Sequence, residues 1–133
     1  MAKATKGKEL AVLAPNRIGL LHEISSALAE ARINILSISG YVLEDDQANF
    51  LMMVDKHAAA KKVLNKLSGF RVAEDSVVCL ELPNKPGEMA KIAAKIRGAG
   101  IDINYLYGTV SGRTSVVVLK TKDDAKAIKI ARK

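Results

Sequence analysis

The sequence has little of what most enzyme chemistry is built from. Cys79 is the only cysteine in 133 residues. It cannot form an intramolecular disulfide, and a lone thiol does not make a metal site. The two histidines, His22 and His57, belong to no ligand or catalytic motif. There is no Ser/His/Asp arrangement, no metal-ligand cluster and no Walker-type phosphate loop. General acid–base or nucleophilic work needs a convergent set of titratable groups, and here Glu and Asp fall mostly in expected turns and on helix exteriors. The reading is a non-enzyme that needs no cofactor and no metal.

Aromatic residues are equally scarce, at 4% with no Trp. The core must therefore be aliphatic, and a hydrophobic content of 49% is ample for one, so disorder is not the default. No apolar run approaches the length of a membrane span. The N-terminal stretch MAKATKGKEL is basic but has no apolar run behind it, so it does not read as a signal peptide. With a single thiol, these absences point to a cytoplasmic, reducing setting and to no membrane partner.

Net charge is +7, with a pI of about 9.6. Such a balance suits nucleic acid or an acidic partner. The lysines, however, are scattered over expected helix faces and tails (Lys3, Lys6, Lys8; Lys61, Lys62, Lys66; Lys126, Lys129, Lys133) and read as solvated faces. Tyr105 and Tyr107 share one strand face, as stacking aromatics of an RNA-binding sheet would. The accompanying Lys/Arg-Gly-Phe/Tyr-type motif is missing from the candidate strands NFLMMV and TSVVVL. The Tyr pair is expected at a buried interface, and nucleic-acid binding stays an alternative reading.

What the chain does have is a repeat. Pro15–Ile35 reads PNRIGLLHEISSALAEARINI, and Pro83–Ile103 reads PNKPGEMAKIAAKIRGAGIDI. The offset is a constant 68 residues: Pro15 meets Pro83, Asn16 meets Asn84, Gly19 meets Gly87 and Ile24 meets Ile92. A repeat has to be settled before any other structural reading.

Each copy has the same order of elements. Lys8–Ala14 is a short apolar strand stopped by Pro15-Asn16. From Gly19 the spacing turns helical, with Leu20, Leu21, Ile24, Ala27, Leu28 and Ala31 in one stripe. Ile33–Leu43 and Ala48–Val54 are strands about an acidic turn, the second apolar on both faces and so expected to be covered on both. Asp55–Ser68 is a helix with Ala59, Val63, Leu64 and Leu67 as its stripe, Gly69 its stop, and Phe70–Glu74 a fourth strand. This is the ferredoxin-like order. In the second copy Val77–Leu82, Ile103–Val110 and Ser115–Lys120 are strands, and Glu88–Ala99 and Asp123–Arg132 are helices. Its hairpin is three residues shorter, and a closing strand would fall beyond residue 133.

The prediction is an α+β chain of two tandem ferredoxin-like βαββαβ units, residues 8–74 and 76–133, with antiparallel sheets and helices on one face. The second unit lacks its last strand, so either the native chain is longer or another segment fills that edge. An open edge invites association, as does a sheet face that the helices leave bare. A homodimer or larger assembly is expected.

The repeated turn has its own chemistry. The first N–H groups of a helix lack intrahelical partners, and the aligned dipoles favour an anion there. Gly19 and Gly87 would let a ligand approach the backbone, and the Asn16 and Asn84 amides can meet a carboxylate or an ammonium. The competing reading is a plain Asn cap with Gly allowing tight packing, and spacing alone places it first.

PNRIGLLHEISSALAEARINI and PNKPGEMAKIAAKIRGAGIDI resemble the N-terminal half of the ACT domain, whose signature at the strand–helix turn is Asn/Asp-Arg/Lys-Pro-Gly-x-Leu. IDINYLYGTVSGRTSVVVLKTKDDAKAI is similar to the second half of small stand-alone tandem ACT proteins. The resemblance covers nearly the whole chain. It implies a regulatory module that binds an amino acid or other small effector where ACT units meet, between one unit's turn and its neighbour's second strand. The residues it implies are Asn16, Arg17, Ile18, Gly19, Leu20 and Asn34, and in the second copy Asn84, Lys85, Pro86, Gly87, Glu88 and Asp102. It also leaves room for a regulated metabolic enzyme as partner, or for a purely structural, oligomer-forming regulatory subunit. The sequence departs from the pattern at Ile18, where Pro is usual, and at Asp102, where Asn is usual, so the two sites are not expected to be equal.

Overall fold

The structure, a computed structural model, describes residues 2–133. In order, the elements are β1 (Lys3–Pro15), α1 (Leu20–Glu30), β2 (Ile35–Val42), β3 (Gln47–Val54), α2 (His57–Asn65), β4 (Arg71–Pro83), α3 (Glu88–Gly98), β5 (Ile103–Ser111), β6 (Thr114–Thr121) and α4 (Asp124–Ala131). The chain is α+β and divides into two compact units. One is Lys8–Asp75; the other joins residues 2–7 to Ser76–Lys133.

In the unit Lys8–Asp75 the strand order is β2-β3-β1-β4. β3 pairs antiparallel with β1 (Val12 opposite Phe50) and with β2 (Gly40 opposite Phe50). One sheet face sends Leu10, Val12, Ala14, Ala48 and Met52 against Leu20, Ile24 and Leu28 of α1 and Ala60 and Leu64 of α2. Burying each such aliphatic side chain is worth about 1.5–3 kcal/mol. Every residue from Ala48 to Val54 is at least half-buried, as a strand apolar on both faces requires. The helix stripes are narrower than the spacing suggested. Leu21 is 54% exposed, and on α2 it is Ala60, not Ala59, that faces the core.

In the other unit the order is β1-β4-β6-β5, with β6 antiparallel to both β4 and β5. Ala4 lies in its core with Val78, Leu80, Leu82, Ile92, Ile96, Val117, Leu119 and Ala127. The closing strand missing from residues 76–133 is thus supplied from the other end of the chain, by the start of β1. The reading of residues 3–7 as a solvated tail is corrected here, and so is the split of β4 into two separate strands. Along β6, Val117, Val118 and Leu119 are buried while Val116 stays 45% exposed, so this strand is not covered over its whole length. The β5–β6 hairpin closes tightly, Ser111 opposite Thr114, with Gly112 at φ 62°.

A polar knot fixes the start of α4. Asp123 caps it by accepting from the Lys126 N–H at 3.1 Å. Asp124 accepts from Ser76 Oγ and Lys120 Nζ, each at 2.8 Å, and from the Thr121 hydroxyl at 2.8 Å and N–H at 3.0 Å. A largely buried carboxylate is tolerated because each oxygen is bonded.

Candidate functional site

The two repeated turns have the same backbone. Gly19 and Gly87 are the residues before the first helical turns, at φ 86° and 87°. That left-handed conformation is strained for any residue with a Cβ. Apart from the adjoining residues of the chain, no heavy atom of the described residues lies within 4 Å of where a Cβ would stand at either glycine, so space in front of both is open. Neither helix start has a side-chain cap.

The Asn cap expected from spacing is therefore not what forms. The Asn16 N–H instead donates to the Asp46 carbonyl at 2.9 Å, and the Asn84 N–H to the Arg113 carbonyl at 2.8 Å. The Asn84 amide also donates to the Gly112 carbonyl at 3.1 Å. These residues tie each turn to the hairpin beside it, a role that spacing along one segment cannot reveal.

Around the second turn lies a groove of about 320 Å³. Lys85, Glu88 and Met89 form one wall; Leu106, Gly108 and Val110 of β5 form the other, with Val117 and Ser115 of β6 and Leu82 of β4 between them. Met89 is 40%, Leu106 50% and Val110 53% exposed, so the apolar walls are open to solvent. Glu88 accepts from Lys91 Nζ at 3.1 Å, and that bond holds its carboxyl below the usual carboxylate range. Gly108 has to be small: a Cβ there would come within 2.8 Å of the Val116 carbonyl oxygen.

The first turn differs in its side chains. Arg17 is bonded to Glu23, and its guanidinium lies 6.0 Å from the Phe70 ring centroid. Leu20 takes the place of Glu88 and is buried. The Phe50 ring covers Gly40, coming within 2.7 Å of where a Cβ would stand. By strand register Phe50 takes the place of Val117, whose Cγ2 lies 2.9 Å from where a Cβ of Gly108 would stand. Ile18 is fully exposed.

Of the residues singled out from sequence, Lys85 and Glu88 line the groove, while Pro86 and Gly87 form the exposed turn beside it. Asn34 and Asp102 lie elsewhere in their own units. The Asn34 N–H donates to Asp55 Oδ1 at 2.9 Å, and the Asp102 carbonyl accepts from the Lys122 N–H at 3.0 Å. Both sit at the far ends of β2 and β5 from the turns, roughly 25 Å along eight strand residues. Met89, Leu106, Val110 and Val117 were not anticipated as site residues. Their only trace in the sequence is Leu106-x-Gly108-x-Val110 repeating Ile38-x-Gly40-x-Val42 at the same 68-residue offset.

Among the described residues no cluster of three or more His, Cys, Asp or Glu could hold a metal ion, and no helix is long and apolar enough to cross a membrane.

Comparison with known proteins agrees with this geometry. The crystal structure of protein BT0572 from Bacteroides thetaiotaomicron matches with a TM-score of 0.88 at 26% identity, covering 97% of this chain and 88% of that one. The ligand-free regulatory subunit of aspartate kinase from Thermus thermophilus matches with a TM-score of 0.72 over 99% of this chain and 95% of that one; at 16% identity it shares the fold. UPF0237 protein NMA1909 of Neisseria meningitidis serogroup A is 36% identical over 67 residues, which is 50% of this chain and 71% of that protein. A family model described as an ACT domain pair matches residues 6–133. Two βαββαβ units, two glycine turns in register and a match over nearly the whole length lead to one conclusion: this chain belongs to the ACT domain pair family.

Proposed function

We propose that this protein is a non-catalytic regulatory module whose effector is a free amino acid, bound at the turn that leads into α3. The observation that carries the reading is the groove beside that turn, where Lys85 and Glu88 stand close to the apolar walls formed by Met89, Leu106 and Val110. A cation and a carboxylate suit the carboxylate and ammonium of one zwitterion, and the apolar walls suit a side chain. A preformed concave site with a few polar groups is the usual form of a small-molecule site. The first turn is the weaker candidate, because Arg17 is already paired with Glu23 and the buried Leu20 stands where the second turn has Glu88.

Calorimetric titration of the whole chain against each common amino acid tests this. Binding of at least one, weakened about tenfold or more by Lys85→Ala and by Glu88→Ala, is the expected result. A flat response across the panel overturns it.

The exposed apolar residues beside the turns, Ile38 and Val42 on β2 and Leu106 and Val110 on β5, favour self-association as a homodimer or larger. A monomeric mass by light scattering at micromolar concentration would count against this. A cytoplasmic metabolic enzyme is the kind of partner such a module would regulate.

A further inference from the structure

A second cavity, of about 220 Å³, opens on the unit containing Ser76–Lys133, between α3 and the end of α4. Its floor includes the buried side chains of Ile92 and Ala131; around it stand four cationic residues, Lys91, Lys95, Arg132 and Lys133, against one side-chain carboxylate, that of Glu88. Lys91 is engaged with that carboxylate. The Arg132 Nε–H donates to the Ala4 carbonyl at 2.9 Å, which fixes the guanidinium and leaves its terminal NH2 groups for other acceptors. Lys95 is half-buried and, like Lys133, makes no ion pair within the described residues.

Ordinary surface charge accounts for part of this only. Arg132 and Lys133 follow the last turn of α4, where cations complement the helix dipole. Lys91 is in the first turn of α3, where the dipole disfavours a cation and Glu88 neutralises it, and Lys95 is in the last turn, where the dipole favours one. The repeat makes the contrast sharper. In the first copy the equivalent positions hold Glu23 and Ala27, so neither cation belongs to the shared scaffold. Cations present in one copy alone, converging with Arg132 on a cavity, mark a candidate site.

We propose that this cavity binds a phosphate dianion, free or as a small monoester, with Lys95, Lys133 and Arg132 on its oxygens and Lys91 at the rim. Lys95, which makes no ion pair within the described residues, and the fixed guanidinium of Arg132 match two negative charges, and an arginine fork suits phosphate geometry. This cavity shares Leu82, Pro83 and Glu88 with the amino-acid groove, but Lys95, Arg132 and Lys133 line this cavity and not the groove, so substitutions there test it apart from the amino-acid reading.

Titration with inorganic phosphate and, separately, glycerol 3-phosphate, followed by calorimetry and by backbone amide NMR shifts, tests the proposal. The expected result is saturable one-to-one binding with Kd below about 1 mM at moderate salt, and shifts gathered at residues 88–95 and 131–133. Tighter binding of the monoester identifies esters as the ligand, and tighter binding of inorganic phosphate identifies the free ion. Lys95→Glu and Lys133→Glu should each weaken binding about tenfold or more, whereas Lys66→Glu, which changes net charge equally on the other unit, should leave it within about twofold. Unchanged amide spectra away from the cavity establish that each variant is folded. No saturation with either probe, or equal losses in Lys66→Glu and Lys95→Glu, overturns the proposal, the latter because a general positive field then explains the binding.

Discussion

Glu23 and Lys91 occupy equivalent positions 68 residues apart, each in the first turn of its helix, and carry opposite charge. Glu23 pairs with Arg17 of its own turn; Lys91 pairs with Glu88, 3.1 Å away. The exchange leaves Arg17 neutralised in the first copy and, among the described residues, Lys85 without an ion pair in the second.

Lys85→Ala should therefore weaken amino-acid binding by roughly ten- to a hundredfold, the span expected for losing about 1.5–3 kcal/mol of charge-assisted bonding. Arg17→Ala should leave binding within about twofold. Calorimetric titration of both variants separates the two turns, and an equal loss from each would mean that both bind.

Two glycines test backbone and groove apart. At Gly87 a methyl meets open space, so Gly87→Ala should cost only the left-handed strain, roughly 1–2 kcal/mol. At Gly108 a methyl meets the Val116 backbone at 2.8 Å, so Gly108→Ala should cost about 1–3 kcal/mol. It should also displace β6 at the groove floor and reduce effector affinity. Thermal melts give the first quantity and titration the second.

Much of the fold could be read because hydrophobic spacing changes at each boundary, from the apolar run before Pro15 to the helical stripe after Gly19 and back again at Ile33. The repeat then fixed the order of elements in both copies. Residues 3–7 were missed for a physical reason. Lys3, Thr5 and Lys6 are exposed, so one small residue, Ala4, carries the inward face and makes no visible pattern. Leu21 sits at the edge of its stripe, and only packing decides that it faces solvent. Of the site, the turn was legible because a left-handed glycine recurs. The opposite wall was not, since strand pairing brings Leu106 and Val110 to Met89 and no local pattern records that. Asn84 read as a cap because its true acceptor, the Gly112 carbonyl, lies 28 residues away.

The Asp124 knot makes the protein sensitive to acid. Burial pushes the Asp124 carboxyl upward, but the bonds from Lys120, Ser76 and Thr121 together outweigh it and hold its pKa below the ordinary range. A group depressed in the folded state stabilises above its unfolded pKa of about 4, and that contribution is lost as pH falls through the folded value. The melting temperature should drop below about pH 4. Asp124→Asn should lose roughly 1.5–3 kcal/mol at neutral pH, because the charge-assisted bonds to the carboxylate are weakened, and its acid dependence should be shallower. Melts from pH 7 to pH 3 check both.

The closing strand offers the sharpest test of the architecture. Ala4 is 2% exposed within the core of the unit that begins at Ser76, and its carbonyl accepts from Arg132. A carboxylate there would stand in the buried cluster with Val78, Leu80 and Ile96, an arrangement that costs several kcal/mol in the folded state. Ala4→Asp should therefore lower stability by about 3 kcal/mol or more, whereas Ala4→Ser, small and able to bond locally, should lose about 1 kcal/mol. Hydrogen exchange of the intact chain should localise the damage. Amides of β4, β6 and α4 should lose protection first, because they border the vacated strand position, while those of β2 and β3 keep theirs. If Ala4→Asp melts like the parent, residues 3–7 do not close this sheet, and the edge predicted from the sequence is open after all.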